Sequence, residues 1–170
     1  MRVGLEHIPE PYREVVRVLL DRLLQVMGCR LVSLAVYGSV ARGTPRRDSD
    51  LDLLVVAKDL PKSISQRIRI FEQAEDMIQD VLDRLLDQGY YIALSPIMLT
   101  PEEVRRIPPI LLDMTEDAVI VYDKDDFLKK VLNYLREKLR ELGAHRVWIG
   151  KRWYWILKKD YKFGEVIKIE

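Results

Sequence analysis

Asp50 and Asp52 stand one residue apart in Ser49-Asp50-Leu51-Asp52-Leu53, shortly after the glycine-rich segment Gly38-Ser39-Val40-Ala41-Arg42-Gly43. Side chains alternate along an extended strand, so the two carboxylates project from one face while Leu51 and Leu53 point to the other. Adjacent carboxylates repel, and each is harder to ionise unless a cation stands between them. The pair is therefore read as a divalent-metal site of hard oxygen ligands. It suits magnesium, which takes one or two carboxylates and relies on substrate phosphates to complete its shell. The glycine segment supplies the phosphate side. Gly38, Ser39 and Gly43 let backbone N–H groups approach a ligand closely, and a short helix starting there would aim its positive end at an anion. Ser39 adds a hydroxyl, while Arg42, Arg46 and Arg47 add positive charge.

From Tyr37 to Val56 these residues resemble the minimal nucleotidyltransferases of the DNA polymerase beta superfamily. The shared pattern is Gly-Ser, a small residue and Arg-Gly, then Ser-Asp-x-Asp-Leu. The resemblance implies a nucleoside triphosphate substrate, with two magnesium ions on Asp50 and Asp52. It further implies transfer of a nucleotidyl group, AMP or another, with loss of pyrophosphate. Asp50 and Asp52 become the candidate catalytic and metal-binding residues; Gly38, Ser39, Arg42, Arg47 and Ser49 become the candidate nucleotide-binding residues. Family members of this size resemble antitoxins that pair with, and nucleotidylate, a small helical nuclease partner of the HEPN type. A third acid normally follows on the strand after the long helix. Here that strand, Tyr90-Tyr91-Ile92-Ala93-Leu94-Ser95-Pro96-Ile97-Met98, has no Asp or Glu, and Ser95 stands near the missing position. A hydroxyl is a poor base and a weak magnesium ligand beside a carboxylate. Asp113 and Asp117 lie further along, in an irregular passage, and receive no assignment. The departure leaves a second reading open: a catalytically degenerate, nucleotide-binding regulatory subunit that acts by occluding its partner.

The elements that must position the motif follow from periodicity. Leu31–Tyr37 and Leu51–Val56 read as strands, with helical spacing of Val15, Val16, Leu19, Leu20, Leu23 and Leu24 ahead of them, closed by Gly28. Ser63 with Gln66 predicts a capping box for one long helix ending at Gly89. Tyr90–Leu99 reads as a third strand, which Pro96 confines to an edge or a bulge. Pro101, Pro108 and Pro109 punctuate an irregular or short-helical passage. Ala118–Tyr122 is a fourth strand, and Asp125 or Asp126 caps a last helix closed by Gly143. The expected fold is mixed α/β (α+β), a small mixed sheet flanked by helices. Residues 1–144 form the nucleotidyltransferase domain, and 145–170 a basic aromatic tail packed on it.

Composition agrees with one compact soluble domain: 170 residues, 48% hydrophobic and 32% charged. No apolar run is long enough to span a membrane and no secretory leader is seen, so a cytoplasmic protein is expected. Cys29 alone excludes an internal disulfide and reads as an inert, semi-buried thiol. One Asn among abundant Arg, Lys, Glu, Ile and Leu is a thermophile-like bias. The net charge of +1 argues against a general nucleic-acid binder. The tail is nonetheless basic, with seven Lys or Arg against three acids from His145 onward. It holds Trp148, Trp153 and Trp155, with Tyr154, Tyr161 and Phe163 among Lys151, Arg152, Lys158, Lys159 and Lys162. Packing on the last helix ranks first for these aromatics, a protein-docking surface second and nucleic acid third. A homo-oligomer stays open.

Overall fold

The computed structural model describes residues 1–150 and 152–158. The tail residues Lys151, Lys159, Tyr161, Lys162 and Phe163, and the side chain of Arg152, lie outside that description. In chain order the elements are β1 (Arg2–Val3), α1 (Tyr12–Met27), β2 (Leu31–Tyr37), α2 (Gly38–Ala41), β3 (Leu51–Ala57), α3 (Ile64–Asp76) and α4 (Gln79–Asp87). There follow β4 (Leu94–Leu99), α5 (Pro101–Arg105), α6 (Ile110–Asp117), β5 (Val119–Asp123), α7 (Phe127–Glu141), β6 (His145–Ile149) and β7 (Arg152–Ile156).

Five strands form one mixed sheet in the order β1-β5-β2-β3-β4, with β2 antiparallel to both β3 and β5 and the outer pairs parallel. Helices cover both faces. Leu51, Leu53, Val55 and Ala57 of β3 share a core with α1, α3 and α4, while Leu54 and Val56 share a second core with α5, α6 and α7. The alternation fixes the register. A slip of one residue in β3 would drive Asp52 into the apolar face under α1 and turn a leucine to the face that Asp52 occupies. Burying that carboxylate unpaired would cost several kcal/mol, on the order of what a broken buried ion pair costs.

The structure departs from the sequence reading in five places. The single helix expected up to Gly89 is two, broken at Met77 and Ile78. The last turn of α3 carries Glu75 and Asp76 with no basic residue, opposing its macrodipole, whereas Asp80 suits the first turn of a new helix. The Ser63–Gln66 capping box does not form; the Ser63 hydroxyl meets Ser65, and a capping box appears instead at Thr100 and Glu103. Asp123, not Asp125 or Asp126, caps α7 by accepting from the N–H groups of Leu128 and Lys129. The third strand starts at Leu94 rather than Tyr90: Tyr91 N–H donates to Arg47 C=O, ahead of β3, and pairing with β3 opens only where Leu51 N–H donates to Ala93 C=O. Cys29 is exposed, since it sits in a short 3₁₀ turn before β2 rather than in the strand. Pro96 falls on β4, the edge strand, where its missing N–H breaks no ladder on the open side.

The tail residues His145–Ile156 build an antiparallel hairpin, β6–β7. Arg146 and Trp148 share one face with Trp153 and Trp155, and the first, third and fourth of these turn toward α6. Ile149 and Tyr154 are exposed on the other face. Among the described residues no helix is long and apolar enough to cross a membrane.

Candidate active site

The ends of β2 and β3 meet at the site. Tyr37, the last residue of β2, is in register with Asp52, and Asp52 is in register with Ser95 of β4. Both neighbours therefore face the same side as Asp52. Beyond Tyr37 the chain turns at once into the single-turn α2. Gly38 makes that turn at φ +72°, and a Cβ placed there would overlap Asp52 Oδ2. Glycine is thus required twice, for the left-handed backbone and for the approach of the aspartate. The loop after α2 is pinned by its own backbone bonds from Gly43 N–H to Val40 C=O and from Thr44 N–H to Ser39 C=O. The Arg2 guanidinium also donates to Ala41 C=O, and Tyr12 OH donates to Arg46 C=O at 2.5 Å.

Tyr37, Gly38, Ser39, Arg42, Asp50 and Asp52 line one cavity of about 360 Å³, closed on its far side by Asp113, Asp117 and Trp153. The structure thus gathers five of the seven residues singled out from the motif. It places the other two beside the cavity, not in its lining. Ser49 Oγ accepts from Arg46 N–H at 2.8 Å, bracing the loop, and the Arg47 guanidinium lies 5.2 Å from the Tyr90 ring centre.

Burial, then the neighbouring Asp50 charge, raises the pKa of Asp52 above the usual carboxylate range, while Arg42 pulls it the other way. Burial and the Asp52 charge push the Tyr37 phenol up to about 12, so it stays protonated beside the carboxylate. A carboxylate made hard to ionise by burial, and harder still by a second carboxylate, is one that a nearby cation would relieve. No group of three or more His, Cys, Asp or Glu placed to hold a metal occurs among the described residues. Asp50 and Asp52 offer a divalent cation two hard carboxylate ligands, and phosphate and water oxygens would be needed for the rest of its shell.

Asp113 and Asp117 are the lining residues that sequence reasoning left unassigned. Their signal was the i, i+4 spacing after Pro108-Pro109, which puts both on one face of α6. Neither is a spare acid. Asp113 Oδ1 accepts from Trp153 Nε1–H and Trp155 Nε1–H, each at 2.8 Å, and Asp117 Oδ2 lies 2.9 Å from Arg146 and 3.7 Å from Arg42.

The nucleotidyltransferase domain family matches residues 16–151, which takes in β2 to β6 and every residue lining the cavity except Trp153. The chain belongs to this family. A Methanocaldococcus jannaschii protein, MJ1305, assigned by inference as a protein adenylyltransferase, is 32% identical over 136 residues, 79% of this chain and 87% of its own length. Solved structures resemble the chain more loosely. A toxin–antitoxin crystal structure with AMP-PNP shares 17% identity at a TM-score of 0.42, covering 74% of this nucleotidyltransferase-family chain and 90% of the other. A tri-AMPylated Shewanella oneidensis HEPN toxin in complex with MNT antitoxin shares 12% at 0.38, covering 76% and 87%.

Proposed function

We propose that this nucleotidyltransferase-family chain transfers the adenylyl group of ATP to a hydroxyl of a partner protein, a small helical one of the HEPN type, in the cytoplasm. The observation that carries the reading is the convergence of Gly38, Ser39, Arg42, Asp50 and Asp52 on one cavity. Family membership and the likeness to an assigned protein adenylyltransferase support AMP and a protein acceptor. In the reaction the acceptor oxygen bonds to the α-phosphorus, the bond to the β-phosphate oxygen breaks, pyrophosphate leaves and the hydroxyl proton is released. Gly38 and Ser39 admit the triphosphate against the turn, and Arg42 meets its charge. Asp50 and Asp52 would hold magnesium, which would neutralise charge on the phosphates.

The proton has no dedicated acceptor on β4, where Ser95 occupies the position in register with Asp52. Asp113 and Asp117 are engaged by indole and guanidinium donors. Lack of a general base typically slows such chemistry by about 10²–10⁴. The same Ser95 favours a second reading, a nucleotide-binding subunit that acts on its partner by occlusion alone. Incubation of the chain with magnesium and α-phosphate-labelled ATP, with and without its co-expressed partner, separates the two. Label on the partner establishes transfer; nucleotide binding without label establishes the second reading, and no binding rejects both.

A further inference from the structure

Arg42 is the one cationic side chain among the described residues lining the cavity, and the C-terminal hairpin holds it there. Its guanidinium lies 3.7 Å from Asp117 Oδ2 and 4.8 Å from the Trp153 ring centre. Trp153 belongs to β7. Asp117 is in turn fixed at 2.9 Å by Arg146 of β6. Arg146 is well anchored: its side chain is 11% exposed, it donates to Asp113 C=O at 2.7 Å, and it lies 5.2 Å from the ring centres of both Trp153 and Trp155. The indole N–H groups of those two tryptophans close the network on Asp113 Oδ1.

We propose that the β6–β7 hairpin is a positioning device for Arg42, presenting its guanidinium over the cavity for delivery to the phosphates of an incoming nucleoside triphosphate. The inference rests on the nucleotidyl-transfer reading above. The distances set its direction. Arg146 is the close counter-ion of Asp117 and Arg42 the distant one, so Asp117 stays paired when Arg42 moves to a phosphate. No carboxylate is left buried and alone, the outcome that would make such a move costly. The face of Trp153 attracts a guanidinium without neutralising it, so the full charge remains for the anion. An arginine already confined over the site also has less rotamer freedom to lose when the ligand arrives. Arg42 is the residue that touches the nucleotide; Trp153, Asp117 and Arg146 act through it.

A double-mutant cycle on the full chain tests this, with magnesium-ATP affinity measured by calorimetry. Trp153→Ala is expected to weaken binding by about 3- to 30-fold, the range of a partly desolvated cation–π contact, and to have no effect in the Arg42→Ala background. Trp153→Phe keeps a ring face without the indole N–H and should recover part of the affinity. Asp117→Asn should likewise change the affinity only where Arg42 is present, which keeps the test open if Trp153→Ala misfolds. Equal losses with and without Arg42 would overturn the inference alone, since a merely structural hairpin acts independently of that side chain. Absence of magnesium-ATP binding by the unmodified chain would instead reject the nucleotide reading, and the inference with it.

Discussion

Two pairs of carboxylates face the same cavity and live in opposite surroundings. Asp52 stands at the start of β3 beside the exposed Asp50, with only the charge of Arg42 opposing its burial and the Asp50 charge, and it is pushed up as a result. Asp113 and Asp117, on α6, are paired instead: Asp113 Oδ1 with two indole N–H groups and the Arg146 guanidinium, Asp117 Oδ2 with the same guanidinium. Supply of counter-charge, rather than the number of acids near a pocket, distinguishes a pair kept for a ligand from a pair committed to structure. The unsatisfied pair is costly to keep without a purpose. The satisfied pair anchors a hairpin.

The sharpest break in this contrast is expected from Asp52→Asn. Labelled-ATP transfer should fall by at least about 10²-fold, because electrostatic stabilisation around the phosphates is lost. The fold should not suffer. A carboxylate whose folded pKa lies above its unfolded value costs stability where it is ionised; that cost is full above the folded pKa and fades as pH falls from there to the unfolded pKa. Asp52→Asn should therefore match or exceed the parent melting temperature at neutral pH without magnesium, and the advantage should shrink in acid. A lower melting temperature at neutral pH would place Asp52 among the structural acids instead.

Gly38→Val attacks the same pair through the backbone. The added side chain overlaps Asp52 Oδ2 and forces a φ of +72° on a β-branched residue. Strain of this kind costs on the order of 1–3 kcal/mol, and triphosphate binding should be lost with it. Calorimetry showing normal magnesium-ATP binding by a folded Gly38→Val chain would remove the turn from the site.

Much of this was legible because the motif is local. Leu51 and Leu53 against Asp50 and Asp52 is a period-2 signal that needs no tertiary information, and the strand, the turn and the face of Asp52 all follow from it. The α6 pair was not legible, because its role depends on Arg146, Trp153 and Trp155, which approach only when the chain returns roughly thirty to forty residues later. Helix ends failed for a similar reason. Ser63 has both the residue type and the extended backbone of a cap, but its hydroxyl meets Ser65, whereas Thr100 and Asp123 accept from helix N–H groups. β1 is two residues long and exists because β5 offers it an edge, a partnership that Arg2-Val3 does not announce.

The structural pair should fail differently. Asp113→Ala leaves two indole N–H groups and part of the Arg146 bonding without an acceptor, which should cost about 1–3 kcal/mol in stability and change tryptophan emission as the hairpin loosens. Asp50→Ala, at an exposed position, should leave stability nearly unchanged while impairing magnesium-dependent binding. Chemical denaturation followed by fluorescence compares the two. Equal destabilisation by both substitutions would erase the distinction between the pairs.

The smallest expected effect tests the electrostatic origin of the contrast itself. Burial is the leading cause of the raised Asp52 pKa, the Asp50 charge the second, and Arg42 the opposing influence. Asp50→Asn removes a repelling charge, so ionising Asp52 becomes easier and its titration should move to lower pH. Arg42→Ala removes the attracting charge, so the titration should move to higher pH. Burial persists in both, and Asp52 should remain above the ordinary carboxylate range in each variant. Carbon-detected NMR of the Asp52 carboxylate, recorded without magnesium, reads all three titrations directly. Displacements of the same sign in the two variants would mean that rearrangement of the loop, rather than the two charges, sets the protonation of Asp52.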